Sequence, residues 1–301
     1  MTIEREKKII IVMMTLIVII WGFDYVIVKL VLEFLEPMSL LFFKYAVAFM
    51  FVIIVKLKTE GASFIKPRDI PIYIASVTFG EIVYYYSEYT AMGYLPVSII
   101  SIIIAFVPAL SVITERVVYK KRTDIKIIMG IAACIFGVAL IIGVDFSVLK
   151  EGKLIGYLLA FACVFSWNAY NFITVSIHKK YETATLTINQ IICTLILLAP
   201  YVIHNAQELP SVTLSLTMQM LFLGIFNSGI GFLVVVRSLH VLGPTTTTLF
   251  SNFAPVVTTF LGWLILKETI APIQMAGGII VIAAGYIVIK EKGKTEELIG
   301  E

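Results

Sequence analysis

Apolar runs about twenty residues long follow one another almost from end to end of this chain. They cover roughly 9–30, 38–56, 70–92, 95–118, 125–143, 154–177, 184–204, 213–238, 244–266 and 271–290. About twenty apolar residues is what an α-helix needs to cross the hydrocarbon of a bilayer. Backbone polar groups there must be satisfied within the protein, and runs of this length do so as helices, not as barrel strands. The expected fold is all-α and integral to the membrane, with about ten transmembrane helices. Only 14% of the 301 residues are charged, against about 25% in soluble domains. The connections are short and leave no soluble domain. The first run follows the basic stretch MTIEREKK. It is too long for a signal-peptide core and no small-residue cleavage site follows it, so it reads as a retained span.

The net charge of +3 and the scatter of its cations give no surface for nucleic acid. Cys134, Cys163 and Cys193 all fall within apolar runs and read as small buried hydrophobes. No HExxH or GxSxG motif is present, and His178, His204 and His240 fall near span ends, so neither an enzyme nor a cofactor or metal site is expected. A channel or a sensor is the remaining rival to a carrier. With the N-terminus placed inside, the inner segments hold sixteen Lys and Arg and the outer loops three; four of the 23 lie in or at the edge of spans. Cations concentrate on the cytoplasmic side. The chain is therefore expected in the cell membrane with both termini cytoplasmic.

The two halves repeat. Trp21 matches Trp167, Pro108 matches Pro255 and Gly130 matches Gly277, at offsets of 146, 147 and 147. Five spans per half is an odd number, so the second repeat is inverted. The expected units are 1–145 and 146–301. Inverted repeats characterise secondary transporters, which bind substrate near the midplane between the repeats.

The stretch Gly80–Tyr94, GEIVYYYSEYTAMGY, places Glu81 and Glu88 seven residues apart. That is about two helical turns, so in an α-helix both acids share a face with Tyr85 between them. Ionisable groups in a membrane are expensive and face a cavity or a partner. Span positions put Asp24, Lys44 and Glu88 in the outer third. Glu81, Trp21, Trp167, Asn171 and Asn227 fall near the middle. Glu115, Arg237, Asn189, Gln190 and Asn252 fall in the inner half. The bland alternative for the outer set is a structural Lys44–Asp24 or Lys44–Glu88 ion pair. Glu115 with Arg237 is the expected ion pair or gate at the cytoplasmic end.

The acids outnumber Lys44, so the cavity is expected to favour a cation or zwitterion, with Tyr85, Trp21 and Trp167 adding cation–π attraction. Lys44 is placed to meet a substrate carboxylate. Asn171, Asn227 and Asn252 complete the expected binding set, Asn252 because it precedes the Ala254-Pro255 break. Glu81 is the expected carrier of a coupling proton, from its mid-span position.

Several short motifs occur in a telling order: Trp21-Gly22 with Lys29, Lys44 in FFKY, Tyr89 with Ala91, the prolines Pro108 and Pro255, and Leu266-Lys267-Glu268 closing the ninth run. In these the chain resembles the ten-span, EamA-type branch of the drug/metabolite transporter superfamily, over about 9–290. Asp24 departs from the Asn or small polar residue that is usual after the Trp-Gly pair. Lys120 and Lys121 stand where the first repeat's counterpart of the Leu-Lys-Glu motif should end. The resemblance implies a secondary active transporter working by alternating access, and it favours export. Joined to the cavity chemistry, the expected cargo is a small amine-bearing or zwitterionic metabolite, an amino acid or related amine first. A proton-coupled choline, quaternary ammonium or organic cation transporter is the alternative. The expected partners are the substrate, a coupling proton, the lipid bilayer and, in assembly, a second copy as a homodimer.

Overall fold

The computed structural model describes residues 3–62, 65–119, 124–142, 153–206 and 213–299. Among these no residue forms a strand, and every element is helical. The first half runs α1 (Ile3–Val31), α2 (Pro37–Thr59), α3 (Ile70–Val77), α4 (Tyr84–Ala91), α5 (Val97–Ile104), α6 (Val107–Tyr119) and α7 (Ile125–Ile142). The second runs α8 (Lys153–His178), α9 (Thr183–His204), α10 (Leu214–Leu221), α11 (Phe232–Val241), α12 (Pro244–Leu249), α13 (Ala254–Leu266) and α14 (Pro272–Ile299).

Six of the described helical runs are long and apolar enough to span a membrane: Arg5–Val31, Pro37–Thr59, Val97–Val118, Lys153–His178, Thr183–His204 and Leu214–Val241. Shorter apolar helices cover Ile125–Gly137, Ala254–Leu266 and Pro272–Ile287. The rod from Ile70 to Ala91 belongs to neither group, because Glu81, Glu88 and five tyrosines interrupt its apolar character. Large apolar side chains such as Ile203, Phe260 and Trp263 point outward, as suits a protein whose surroundings are hydrocarbon rather than water.

The halves share their irregularities as well as their order. α3 passes into α4 through a π-helical stretch, Thr78–Val83, and α10 passes into α11 through another, Phe222–Gly231. The next rod is broken in both halves. α5 ends at Ile104 and α6 restarts at Val107; α12 gives way to a 3-10 turn, Phe250–Phe253, before α13. Pro108 and Pro255 cause these breaks, since proline lacks a donor and clashes with the carbonyl four residues earlier. Each proline sits in the first turn of the helix it begins, where no donor is needed.

Corresponding helices also meet: α2 packs along α9, and α7 along α14. Cys134 of α7 donates to the Val281 carbonyl of α14 at 3.7 Å, and 281 is the repeat counterpart of 134 at the offset of 147. Elements that meet their own counterparts lie beside the axis relating the halves.

Two motifs acquire a physical reason here. Gly22 lets α1 approach α13, for a Cβ there would overlap Val257. Lys267 ends α13 in the left-handed region at φ 56°, which turns Glu268 back onto the start of α5. Glu268 accepts from the backbone N–H of Val97 at 2.9 Å and from the Ser98 hydroxyl at 2.9 Å. A carboxylate there satisfies donors that a helix start leaves open and meets the positive end of its dipole. Lys29 donates to the Met92 carbonyl just beyond α4, so the lysine that follows the Trp-Gly pair has a structural contact at a helix end.

Candidate functional site

The site lies where the halves face each other. α1 carries Trp21, Asp24 and Tyr25 on one face, at spacings of three and four residues that stack in an α-helix. α4 contributes Tyr84, Tyr85 and Glu88 by the same spacing. Trp167 comes from α8, Asn227 from the second π stretch and Phe232 from the start of α11. Asn227 and Phe232 are five residues apart, a spacing that an α-helix splays and a π-helix brings together. Ser101, Ile104 and Ala254 complete the wall.

The cavity measures about 40 Å³, room for a few water molecules. Small-molecule sites are roughly 300–1,000 Å³. The conformation is therefore closed on the site, and a metabolite enters only when the surrounding helices part.

Asp24 is the polar centre. It lies 3.6 Å from Lys44 Nζ and accepts a hydrogen bond from Asn227 Nδ2. Lys44 is fully buried; it donates to the Tyr89 hydroxyl at 3.0 Å and its ammonium stands 4.2 Å from the Tyr85 ring centroid. Of the two ion pairs open to the sequence, the Asp24 pair forms. The Tyr85 face expected for substrate thus carries the protein's own ammonium.

Glu88 has a different environment. The Tyr84 hydroxyl donates to it at 2.8 Å, and Tyr25 lines the same wall. Its hydrogen-bond partner is a phenol, with Lys44 bonded elsewhere. Around these groups the aromatics interlock. Trp21 meets Trp167 edge-to-face at 6.5 Å, and Trp167 stacks on Tyr170 at 4.9 Å.

Trp21, Asp24, Tyr85, Glu88, Trp167 and Asn227 line the cavity as the sequence suggested. Glu81 does not. It is wholly buried within the π stretch, outside the cavity wall, and neither carboxylate oxygen has a hydrogen-bond partner. The shared face expected for Glu81, Tyr85 and Glu88 assumed an unbroken α-helix. The π turns between them take more residues per turn and shift the register. Asn171 is likewise buried, off the wall, with both amide atoms unpartnered. The Asn252 side chain lies outside the described residues. The expected Glu115–Arg237 pair is replaced: Arg237 bonds Glu6 through Nε at 2.8 Å and through Nη2. Glu115 is buried on α6. Glu6 lies in the leading polar segment, and reading its charges only for topology hid it as a partner.

Tyr25, Tyr84, Ser101, Ile104, Phe232 and Ala254 were not foreseen in the wall. Tyr25 was signalled by its spacing of four from Trp21, and Tyr84 by its spacing of four from Glu88. Phe232 carried no such signal, because the π stretch that aligns it is invisible to a 3.6-residue period.

A polyhelical bundle of two like halves, closed on a small polar cavity between them, defines a membrane transporter. The chain belongs to the EamA-like transporter family, whose pattern matches it twice, over residues 8–143 and 154–290. An uncharacterized transporter of Archaeoglobus fulgidus is 25% identical over 93% of this chain and 99% of its own length. A probable amino-acid metabolite efflux pump of Salmonella typhimurium is 22% identical over 90% of this chain and 92% of its own. A solved crystal structure with 17% identity superposes at a TM-score of 0.68 over 92% of this chain and 96% of that one, which shows the shared fold.

Proposed function

We propose that the protein is a secondary active exporter of a small amine-bearing or zwitterionic metabolite, an amino acid or related amine. The observation that carries this is Glu88, a cavity acid bonded by Tyr84 and sharing the wall with Tyr25, Trp21, Trp167 and Tyr85. A carboxylate among aromatic faces suits an ammonium group. Asp24 and Lys44 satisfy each other in the closed conformation, and a zwitterion offers each an opposite charge in exchange. The likeness to the Salmonella typhimurium protein named a probable amino-acid metabolite efflux pump is further support for amino-acid export.

In this reading all ten helical rods cross the cell membrane, the units 1–145 and 146–301 have inverted orientations, and both termini are cytoplasmic. The cation count and the odd number of rods per half support that arrangement. Transport proceeds by alternating access, with export of the metabolite coupled to protons moving inward down their gradient.

The test is counterflow into liposomes holding the purified protein and an unlabelled mixture of amino acids. Saturable accumulation of the radiolabelled mixture supports the reading. Accumulation of choline alone supports the quaternary ammonium alternative, and a non-saturable leak points to a channel. For an accumulated amino acid, the analogue lacking the ammonium charge is expected to bind at least roughly tenfold more weakly, about 1.4 kcal/mol.

A further inference from the structure

The internal repeat relates more than the two tryptophans. The offset of 146 that carries Trp21 onto Trp167 carries Asp24 onto Tyr170 and Lys44 onto Gln190. The contacts follow the same correspondence. Asp24 lies 3.6 Å from Lys44, and the Tyr170 hydroxyl donates to Gln190 Oε1 at 3.4 Å. Each pair has a π stretch beside it. Asn227, from one, bonds Asp24. Gly80, from the other, lies so close to the Tyr170 ring that a Cβ there would overlap it, and Glu81 is the next residue. The two clusters therefore have corresponding parts with the charges moved. The first sets an acid, Asp24, against a built-in cation. The second has its acid in the π stretch and a neutral glutamine at the place corresponding to the lysine.

Glu81 has 0% exposure and both its oxygens lack a hydrogen-bond partner. The titratable groups facing it are Lys44 from α2, Tyr85 and Tyr89 from α4, and Tyr170 from α8. The Lys44 ammonium is engaged by Asp24 and the Tyr89 hydroxyl. The Gln190 amide is committed elsewhere, to Ser76 Oγ at 2.7 Å and Thr174 Oγ1 at 3.3 Å. An ionised carboxylate buried without a partner is one of the costliest groups a protein can hold. A bound proton cancels the charge.

We propose that this second cluster is a proton seat. Glu81 takes from solution the positive charge that Lys44 supplies internally to Asp24, and Gln190 is the residue whose neutrality leaves that charge to be supplied. The proposal deepens the proton-coupled reading above, but its test needs no substrate.

Purified protein in detergent is titrated while infrared difference spectroscopy follows the carboxylic-acid C=O band. The wild type is expected to show a band at neutral pH that is absent from Glu81→Gln. The band is also expected to be absent from Gln190→Lys, where the new ammonium holds Glu81 ionised as Lys44 holds Asp24. Glu81→Gln is isosteric with the protonated acid, so it keeps the test decisive if Gln190→Lys fails to fold. A second arm compares thermal midpoints in sodium chloride and in N-methylglucamine chloride. The proposal is overturned if Glu81→Gln leaves the band undiminished, or if a folded Gln190→Lys does. It is also overturned if sodium chloride alone raises the midpoint and Glu81→Gln removes that rise. Counterflow and band fail independently: a wrong substrate class leaves the band in place, and a missing band leaves counterflow intact.

Discussion

Asp24 and Lys44 stand 3.6 Å apart between α1 and α2, the lysine fully buried and the acid 6% exposed. Neither charge is near bulk water, so each depends on the other. Removing one partner of a buried pair leaves an uncompensated charge, a loss of about 3–5 kcal/mol. Lys44→Met is expected to lower stability by that order in detergent unfolding. Asp24→Asn with Lys44→Met is expected to recover much of it. A double variant as unstable as the sum of the single ones would show the two charges to be uncoupled.

Glu268 joins the two halves by capping α5 from the turn after α13. Loss of a helix cap costs about 0.5–2 kcal/mol. Glu268→Ala is expected to fall in that range by thermal unfolding. Glu268→Gln, which keeps an accepting oxygen, is expected to fall by less. Equal losses would assign the effect to charge alone.

Asp69 lies in the turn before α3, outside the spans, and its carboxylate accepts from Lys180 at 2.8 Å and from the Tyr181 hydroxyl at 2.7 Å. The hydrogen bond from Lys180, foremost, holds its pKa below the usual carboxylate value. A depressed folded pKa contributes stability above the unfolded value, about 3.9, and that contribution is lost as pH falls through the folded pKa. The midpoint gap between wild type and Asp69→Asn should therefore be flat near neutrality and close below about pH 4. A gap that widens on acidification would reverse the assignment.

The orientation is tested with single cysteines at exposed positions of opposite turns, Glu33→Cys after α1 and Ala62→Cys after α2. An impermeant maleimide added to intact cells is expected to label the first and spare the second. Labelling of both, or the reverse pattern, would sink the cytoplasmic placement of the termini.

Much of the architecture was legible because a bilayer leaves a chain few choices. Apolar runs of span length fixed the helices. Spaced landmarks such as Trp21 and Trp167 or Pro108 and Pro255 exposed the duplication, and depth along each span pointed to half of the residues that line the cavity. What a sequence period cannot carry is phase through an irregular helix. An α-helical period through Thr78–Val83 puts Glu81 on the cavity face with Tyr85, whereas the tertiary structure buries it within a π-helical stretch, outside the cavity wall and without a hydrogen-bond partner. The π stretch Phe222–Gly231 did the converse for Phe232.

Partner choice was the other open matter. By sequence alone Lys44 was as free to meet Glu88 as Asp24, and Arg237 as free to meet Glu115 as Glu6. A long side chain can reach several groups at one depth, and only the rotation and closeness of the packed helices select among them. Charge count, hydropathy and repeat are properties of the chain and were settled by it. Which acid received the lysine and which received no partner was decided by packing, because the Asp24–Lys44 contact joins residues on different helices.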